Sequence, residues 1–565
     1  MITKRTSTCR TLSIPVLGLA LFAASACTAT PAQQAAQGGG GGGQSGSTAA
    51  QPASVLTFQG DSTKTQDFNP LTGTGQNQNF LIYEPLVFIS PVDSTPTPFL
   101  ATKFSKVSAS DLEVTVRDGV KWSDGKPFTA ADVVFTFNLL KKFPAVDTKG
   151  VWAFLKSVTA NGGKVSFALK QPSLPFMDTI LSVPIVSEHQ WSAVPDPAKY
   201  ADAKPIGTGP YVLKSYTSSE IKLAKNPSYW QADKVAADEV DYPVGATASS
   251  ASALQVTSGT YDWVYSFLPD VQKTYIDPDP KNRTYYFPPG GAIALYLNLT
   301  KKPYSNVDFR KGVSLSLNRS SIARKAVNGY LDQASTTGLI LPNLKKYLDP
   351  SIPNQGMVTQ NKDAALAEFS KAGYTMKGNK LTGTDGSQAG FTMLVPNGFT
   401  DWQQAAVEVQ QELAAVGITV KIDNPQYAQY SKSIGSGSYD AAFGGFGGNG
   451  NAYTDYNNAL NSAFAAPIGT QTVNNFERFK DPTVDKALQT LATSTDEKAQ
   501  LAATYSLEKI MMDQLPIVPM YYGGSWGLFK IDKFTGWPSA KNPYTLPTTY
   551  NNSLLKVLTT ITKVK

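Results

Sequence analysis

Phe391-Thr392-Met393-Leu394-Val395, the helically spaced residues 401–416, and Ile418-Thr419-Val420-Lys421-Ile422 follow one another in the chain. An apolar run, an amphipathic stretch and a second short run of β-formers predict a βαβ unit, and with it an α/β fold. In open α/β sheets the ligand binds beyond the carboxyl ends of the strands. The next stretch, Tyr439-Asp-Ala-Ala-Phe-Gly-Gly-Phe-Gly-Gly-Asn-Gly-Asn-Ala-Tyr453, joins a short apolar strand to a bare loop. Gly444, Gly445, Gly447, Gly448 and Gly450 let backbone groups approach another molecule, and Phe446 and Tyr453 offer flat apolar faces. A ligand-facing wall is expected here.

Working outward, 565 residues exceed one compact core, so two or three domains are expected. The 27 Phe, 26 Tyr and 8 Trp are a surplus that suits a stacking ligand site, and 45 Gly with 37 Pro imply extensive ordered loops. Removing Lys4, Arg5 and Arg10 with a leader lowers the formal charge from +7 to +4, which is no nucleic-acid signature. Cys9 and Cys27 are the only cysteines and His189 the only histidine. A Cys/His metal site is thereby excluded from the body of the chain, and no cofactor is expected.

Residues 1–26 carry a basic start, an apolar run and small residues at the end, the pattern of a secretory signal. Ala24-Ser25-Ala26-Cys27 resembles a bacterial lipobox, with Ala24 where leucine is more usual. The resemblance implies lipidation of Cys27. Residues 27–54, with six consecutive glycines at 38–43, then form a flexible tether that holds the folded body outside a membrane.

The ordered part begins with a strand at 55–59, the polar turn Gly60-Asp61-Ser62, and Asp67-Phe68-Asn69-Pro70-Leu71. Residues 111–117 alternate as a half-buried strand, 118–125 make a turn, and Thr129-Ala-Ala-Asp132 opens a helix as a capping box. Another capped helix opens at Ser494-Thr-Asp-Glu497.

Several of these stretches, taken in order, resemble one family. They are Asn69-Pro70, Tyr83-Glu-Pro-Leu86, residues 117–133, Gly207-Thr-Gly-Pro-Tyr211, Asn226-Pro-Ser-Tyr-Trp230, Phe309-Arg-Lys-Gly-Val313 with Asn318-Arg319, and Leu515-Pro-Ile-Val-Pro519. Together they look like the extracytoplasmic solute-binding proteins of the peptide/nickel class, family 5, which serve ABC importers. The resemblance implies a two-lobed periplasmic-binding-protein fold of type II with an extra subdomain in the first lobe (cluster C). Mapped here, lobe I takes 55–78, 205–270 and 521–565, the inserted subdomain 79–204, and lobe II 271–520. It also implies a non-enzymatic receptor, acting as a monomer, whose partners are a small-molecule solute, the permease subunits and, through its lipid, the membrane.

Competing chemistries fail on context. Gly523-Gly-Ser-Trp-Gly527 matches a nucleophile elbow, but residues 528–534 do not read as the helix that must follow, and His189 lies far upstream. The glycine loop lacks the Gly-Lys-Ser/Thr of a nucleotide-binding P-loop. Asp440, Asp455 and Asp485 are scattered, and each reads as surface or helix cap rather than half of a glycosidase pair.

The candidate ligand residues are therefore Asp61, Phe68 and Asn69 after the first strand; Trp263, Tyr265 and Phe267 near the first lobe boundary; Tyr296 and Asn298; Gly445, Phe446, Gly447, Gly448, Asn449 and Tyr453 in the loop; and Trp526. Peptide binders of the family hold the ligand's α-amine with an aspartate at the position of Asn449. A neutral amide there weakens the case for a peptide amine, because a buried ammonium needs a charged partner. The family also contains oligosaccharide binders, so both an oligopeptide and a cello- or xylo-type oligosaccharide stand as expected solutes.

Overall fold

The computed structural model describes residues 54–58, 65–72, 77–245 and 254–564. Asp61 and Cys27 lie outside the described residues. The chain enters through β1 (Val55–Thr57), and Phe58 continues it as a bridge to Trp263; the last position of the strand read at 55–59 lies outside the described residues. A two-stranded hairpin follows, β2 (Val87–Ile89) and β3 (Pro96–Pro98). Four antiparallel strands come next, β4 (Ala101–Lys106), β5 (Asp111–Val116), β6 (Leu155–Asn161) and β7 (Lys164–Leu169), in spatial order β4-β5-β7-β6. β8 (Tyr211–Tyr216), β9 (Glu220–Lys225) and β10 (Glu239–Pro243) then join β1 in the order β1-β10-β9-β8.

Local sequence explains these elements. Leu112, Val114 and Val116 are buried on alternate positions of β5, so one face of its sheet packs inward. The helix Ala130–Lys142 starts at a true capping box: Thr129 accepts from the amide of Ala131, and Asp132 accepts from that of Thr129. Val133, Phe137 and Leu140 pack into a first core with Trp122, Trp191 and Trp263.

The chain next crosses between two cores. β11 (Trp263–Tyr265) and β12 (Arg283–Tyr286) flank β20 (Gly527–Lys530), pairing Tyr265 and Tyr286 with the same Gly527. β13 (Pro289–Leu297) runs into the second core, and β14 (Tyr374–Lys377) with β15 (Lys380–Gly383) forms a surface hairpin. The βαβ unit read from the sequence is present as β16 (Gly390–Leu394), the helix Thr400–Ala414 and β17 (Thr419–Asp423). The helix buries Ala405, Ala406, Val409 and Leu413, one stripe of an amphipathic surface. β18 (Ala441–Phe446) pairs parallel to β16 and antiparallel to β13, and β19 (Val518–Gly524) closes the sheet in the order β17-β16-β18-β13-β19.

Two expectations are corrected here. The division at 520/521 falls inside β19, whose pairing with β13 continues to Gly524, and Tyr521 and Tyr522 belong to the second core. The helix expected from Ser494 runs Glu497–Gln514 and is capped by Asp496, because Asp496 is the side chain that reaches a free amide, that of Lys498. No helix among the described residues is long and apolar enough to cross a membrane.

Candidate functional site

The carboxyl ends of β16, β17 and β18 share one edge of the five-stranded sheet with the start of β13 and the end of β19. The glycine loop leaves the sheet there. Phe446 is the last residue of β18, and its ring is buried in the core with Tyr456, so it offers no free face as expected from sequence. Gly447, Gly448 and Gly450 have φ of +71°, +89° and +67°. Two of them also have no room for a side chain. A Cβ on Gly448 would lie 1.9 Å from the carbonyl oxygen of Gly290, and one on Gly450 would lie 2.7 Å from the carbonyl of Pro91. The loop is thus pressed between the start of β13 and the β2–β3 turn, whose Ser94 Oγ donates to the Gly450 carbonyl at 2.8 Å.

Asp455 closes the loop from behind. It stands in the first turn of the helix Ala452–Leu460 and is buried, not solvated as its sequence context suggested. Its Oδ1 accepts from the Asn449 amide at 3.2 Å and from Asn449 Nδ2 at 2.7 Å, and its Oδ2 accepts from the Gly448 amide at 3.3 Å. Burial pushes the Asp455 carboxyl up to about 6, while those hydrogen bonds act in the opposite direction. Asn449 is consequently not a free selector: its carboxamide donates to Asp455, and both are fixed by the loop.

Beside this loop lies a polar cavity of about 180 Å³, lined by Tyr296, Gly445, Asn449, Asp455, Asn458 and Asn475 among others. Tyr296 Oη donates to the Gly445 carbonyl at 2.9 Å, and a Cβ on Gly445 would meet nothing within 4 Å, so the strand end is open on that side. Tyr453 lines a separate cavity of about 460 Å³ that also includes Ser94 and the Lys106–Asp178 ion pair at 2.8 Å.

The remaining expected aromatics gather at the crossovers. Tyr265 meets Tyr550 edge-on at 5.1 Å, and Phe267 lies 4.9 Å from Trp526. Trp526 in turn meets Phe287 at 5.0 Å, and Phe287 meets Tyr285 at 4.8 Å and Tyr330 at 5.3 Å. The outer rings line a groove of about 870 Å³ together with Tyr286 and several prolines. Sequence reasoning missed Tyr285, Tyr286, Phe287 and Tyr330. The run Tyr285-Tyr-Phe-Pro-Pro289 was a visible signal, but nothing in the sequence tells that Tyr330 joins it.

Four expected ligand residues are corrected to structural ones. Phe68 is fully buried. Asn69 donates to the carbonyls of Pro197 and Tyr200 and accepts from the Leu71 amide. Trp263 packs among Phe58, Phe529 and Trp537 and donates to the Pro547 carbonyl. Asn298 donates to the carbonyls of Gly437 and Tyr439 and accepts from Thr300. In each polar case the chain's own backbone uses the hydrogen-bonding groups, as burial demands.

The other chemistries gain nothing from the geometry. Ser525 sits between β19 and β20, with a strand where an elbow needs a helix. His189 lies 2.9 Å from Asp124 and edge-on to Trp122, inside 79–204. Asp440 pairs with Lys301 at 2.8 Å, and Asp485 accepts from the Ser462 amide. No group of three or more His, Cys, Asp or Glu side chains among the described residues could hold a metal.

Comparison with known proteins agrees with this architecture. Protein XP55 of Streptomyces lividans is 27% identical over 83% of this chain and 83% of its own. The periplasmic oligopeptide-binding protein of an oligopeptide ABC transporter from Thermotoga maritima superposes with a TM-score of 0.82 at 24% identity, over 90% of this chain and 99% of that one. Its mannohexaose-bound structure superposes with a TM-score of 0.75 at 25% identity, over 91% and 99%. The shared architecture is the two-lobed periplasmic-binding fold of mixed α/β content. Residues 95–467 match the bacterial extracellular solute-binding proteins, family 5 middle region, and with that match spanning most of the ordered chain, the protein belongs to this family.

Proposed function

We propose that this protein is the lipid-anchored receptor of an ABC importer, closing its two lobes on an extended, uncharged oligosaccharide and delivering it to the permease. The observation that carries the solute class is the pairing of Asn449 with Asp455: the loop that meets the solute presents a neutral amide, and the carboxylate behind it is buried and occupied by three donors. A peptide ammonium brought to this loop would meet only Asp455, a buried carboxylate already shared by three donors, so its desolvation would be poorly repaid, at a cost of roughly several kcal/mol. Hydroxyl groups need only the hydrogen-bonding edges that the Asn449 side-chain oxygen and Asn458 supply beside the open strand end at Gly445. The mannohexaose-bound relative supports the same reading.

The lobes would be 55–78, 205–270 and 525–565 for the first, with 79–204 inserted, and 271–524 for the second. Closure requires only that the solute bind the closed form more tightly than the open one, and no covalent step is involved. Anchoring through Cys27 would place the body at the outer face of the cytoplasmic membrane. The oligopeptide reading has one support of its own, the oligopeptide-binding relative of known structure.

Calorimetric titration of the purified mature chain with manno-, cello- and xylo-oligosaccharides, and with di- to pentapeptides, decides between them. Micromolar binding of an oligosaccharide series without turnover is expected. Tight binding of unmodified peptides, abolished by acetylating their amines, would overturn the solute class while leaving the receptor role intact.

A further inference from the structure

The aromatic groove at the crossovers and the polar cavity of the glycine loop share no lining residue, but they lie close to one another in the fold. The groove's wall at Pro288 and Pro289 leads into Gly290, whose carbonyl touches Gly448, and its opposite rim at Val92 and Asp93 leads into Pro91, which touches Gly450. At about 870 Å³ it is large enough for a ligand fragment of several rings. Tyr285, Phe287 and Tyr330 contact one another, with Tyr285 and Tyr330 centroids 6.2 Å apart. Phe287 is backed by Trp526, and Trp526 by Phe267, so the wall is held in place before any ligand arrives. Tyr285 nevertheless keeps 38% of its surface exposed.

The groove's charge is as informative as its rings. Asp93 is the one carboxylate on its lining, and its oxygens accept from the Thr95 amide at 3.0 Å and Thr95 Oγ1 at 2.7 Å. Tyr330 Oη accepts from the Val271 amide at 2.6 Å. Asn343 donates to the Pro289 carbonyl at 3.1 Å. What is left over is chiefly flat apolar surface with no basic residue on the lining. Such a surface suits a ring with an apolar face and hydroxyls around its edge, and its single carboxylate, Asp93, is already engaged by Thr95.

We propose that this groove is a second subsite, in which Tyr285 stacks on an uncharged sugar ring of the chain whose other units lie at the glycine loop. The proposal rests on the oligosaccharide reading given above. It makes Tyr285 a determinant of how long a solute the receptor prefers, since a short chain would fill the loop alone.

The test is calorimetric titration of the mature chain, and of its Tyr285→Ala and Tyr285→Phe variants, with manno- and cello-oligosaccharides from disaccharide to hexasaccharide. Because Tyr285 is partly exposed, its truncation leaves the thermal midpoint close to that of the parent, which is checked first. The expected result is an affinity that rises with length in the parent, falls about tenfold for the long chains in Tyr285→Ala, stays within about twofold for the disaccharide, and is retained throughout in Tyr285→Phe. Equal losses at every length, or no loss at any length, would overturn the subsite and leave the oligosaccharide reading standing. Binding by no oligosaccharide would overturn that reading and the subsite with it. Tight binding of apolar peptides that weakens in Tyr285→Ala would show the groove to be a side-chain pocket and overturn its assignment to sugars.

Discussion

The glycine loop and the aromatic groove are neighbouring surfaces of the fold, and they are built on opposite principles. In the loop the backbone fills the space: a Cβ on Gly448 or Gly450 would overlap the carbonyl of Gly290 or Pro91, and one buried carboxylate gathers the amides. In the groove side chains fill the space, with rings from β12, from the following residues and from Tyr330 held 4.8 to 6.2 Å apart. A wall made of backbone tolerates almost no substitution, whereas a wall made of side chains can be trimmed one ring at a time. The difference teaches where selection of solute can vary at little cost, and where the fold forbids variation.

Gly450→Ala is the sharpest way to break the loop side of that contrast. The added methyl would overlap the Pro91 carbonyl at 2.7 Å and approach the Ser90 oxygen at 2.9 Å, and the residue already sits at φ +67°. The two costs separate. Left-handed strain, about 1 kcal/mol, is present whether or not the lobes meet, so it lowers stability alone. The overlap exists only when the β2–β3 turn packs on the loop, so it opposes closure and adds roughly 1–3 kcal/mol to that step. Solute affinity is expected to fall by roughly 5- to 150-fold by calorimetry, with small-angle scattering showing a larger radius in saturating ligand. Unchanged affinity would mean that the turn and the loop need not touch for capture.

Asp455 tests whether the loop's order depends on one carboxylate. Asp455→Ala strips partners from the Gly448 and Asn449 amides and from the Asn449 side chain, a loss of about 2 kcal/mol, read as a lower thermal midpoint and about tenfold weaker binding. The pH dependence follows from the raised carboxyl. With about 6 in the folded chain against an ordinary 3.8, the folded state holds the proton more tightly. Its contribution is therefore most favourable below about 4 and is lost as pH rises through 6, by roughly 3 kcal/mol in all. Glu84, Glu477 and Glu508, raised by burial to about 7, 8 and 8, slope the same way. The expected signature is thus a difference: Asp455→Asn flattens the stability curve between pH 4 and 6 relative to the parent, and leaves it parallel above pH 6.5. Parallel curves throughout would show that Asp455 titrates normally.

The same contrast explains what could be read from the sequence. Backbone requirements are local, so the glycines of 444–450, the capping box at Thr129 and the βαβ unit were legible from spacing alone. Buried status is not local. Asn69, Trp263 and Asn298 carry residue types that suit a ligand, but tertiary packing surrounds each with backbone acceptors from more than 100 positions away in the chain. Phe446 was misread because its loop neighbours are glycines while its own pairing, with Ala292, keeps it in the sheet. The groove escaped notice for the converse reason: Tyr285 and Tyr330 are 45 positions apart, and only the crossover brings them together.

Ser94→Ala gives the smallest effect and the cleanest reading of how the two walls cooperate. Its hydroxyl reaches the Gly450 carbonyl from the β2–β3 turn at 2.8 Å, at a partly buried position where water can replace it in the open form. A net hydrogen bond of this kind is worth about 0.5–1.5 kcal/mol, so affinity should fall roughly two- to twelvefold, by the same factor for every solute length. Because the contact joins turn to loop without touching the aromatic rings, the loss should be the same for a disaccharide and a hexasaccharide. A loss confined to long solutes would instead tie Ser94 to the groove, whose rim continues the same turn at Val92 and Asp93. Uniform loss in Ser94→Ala beside length-dependent loss in Tyr285→Ala would separate closure of the loop from recognition in the groove.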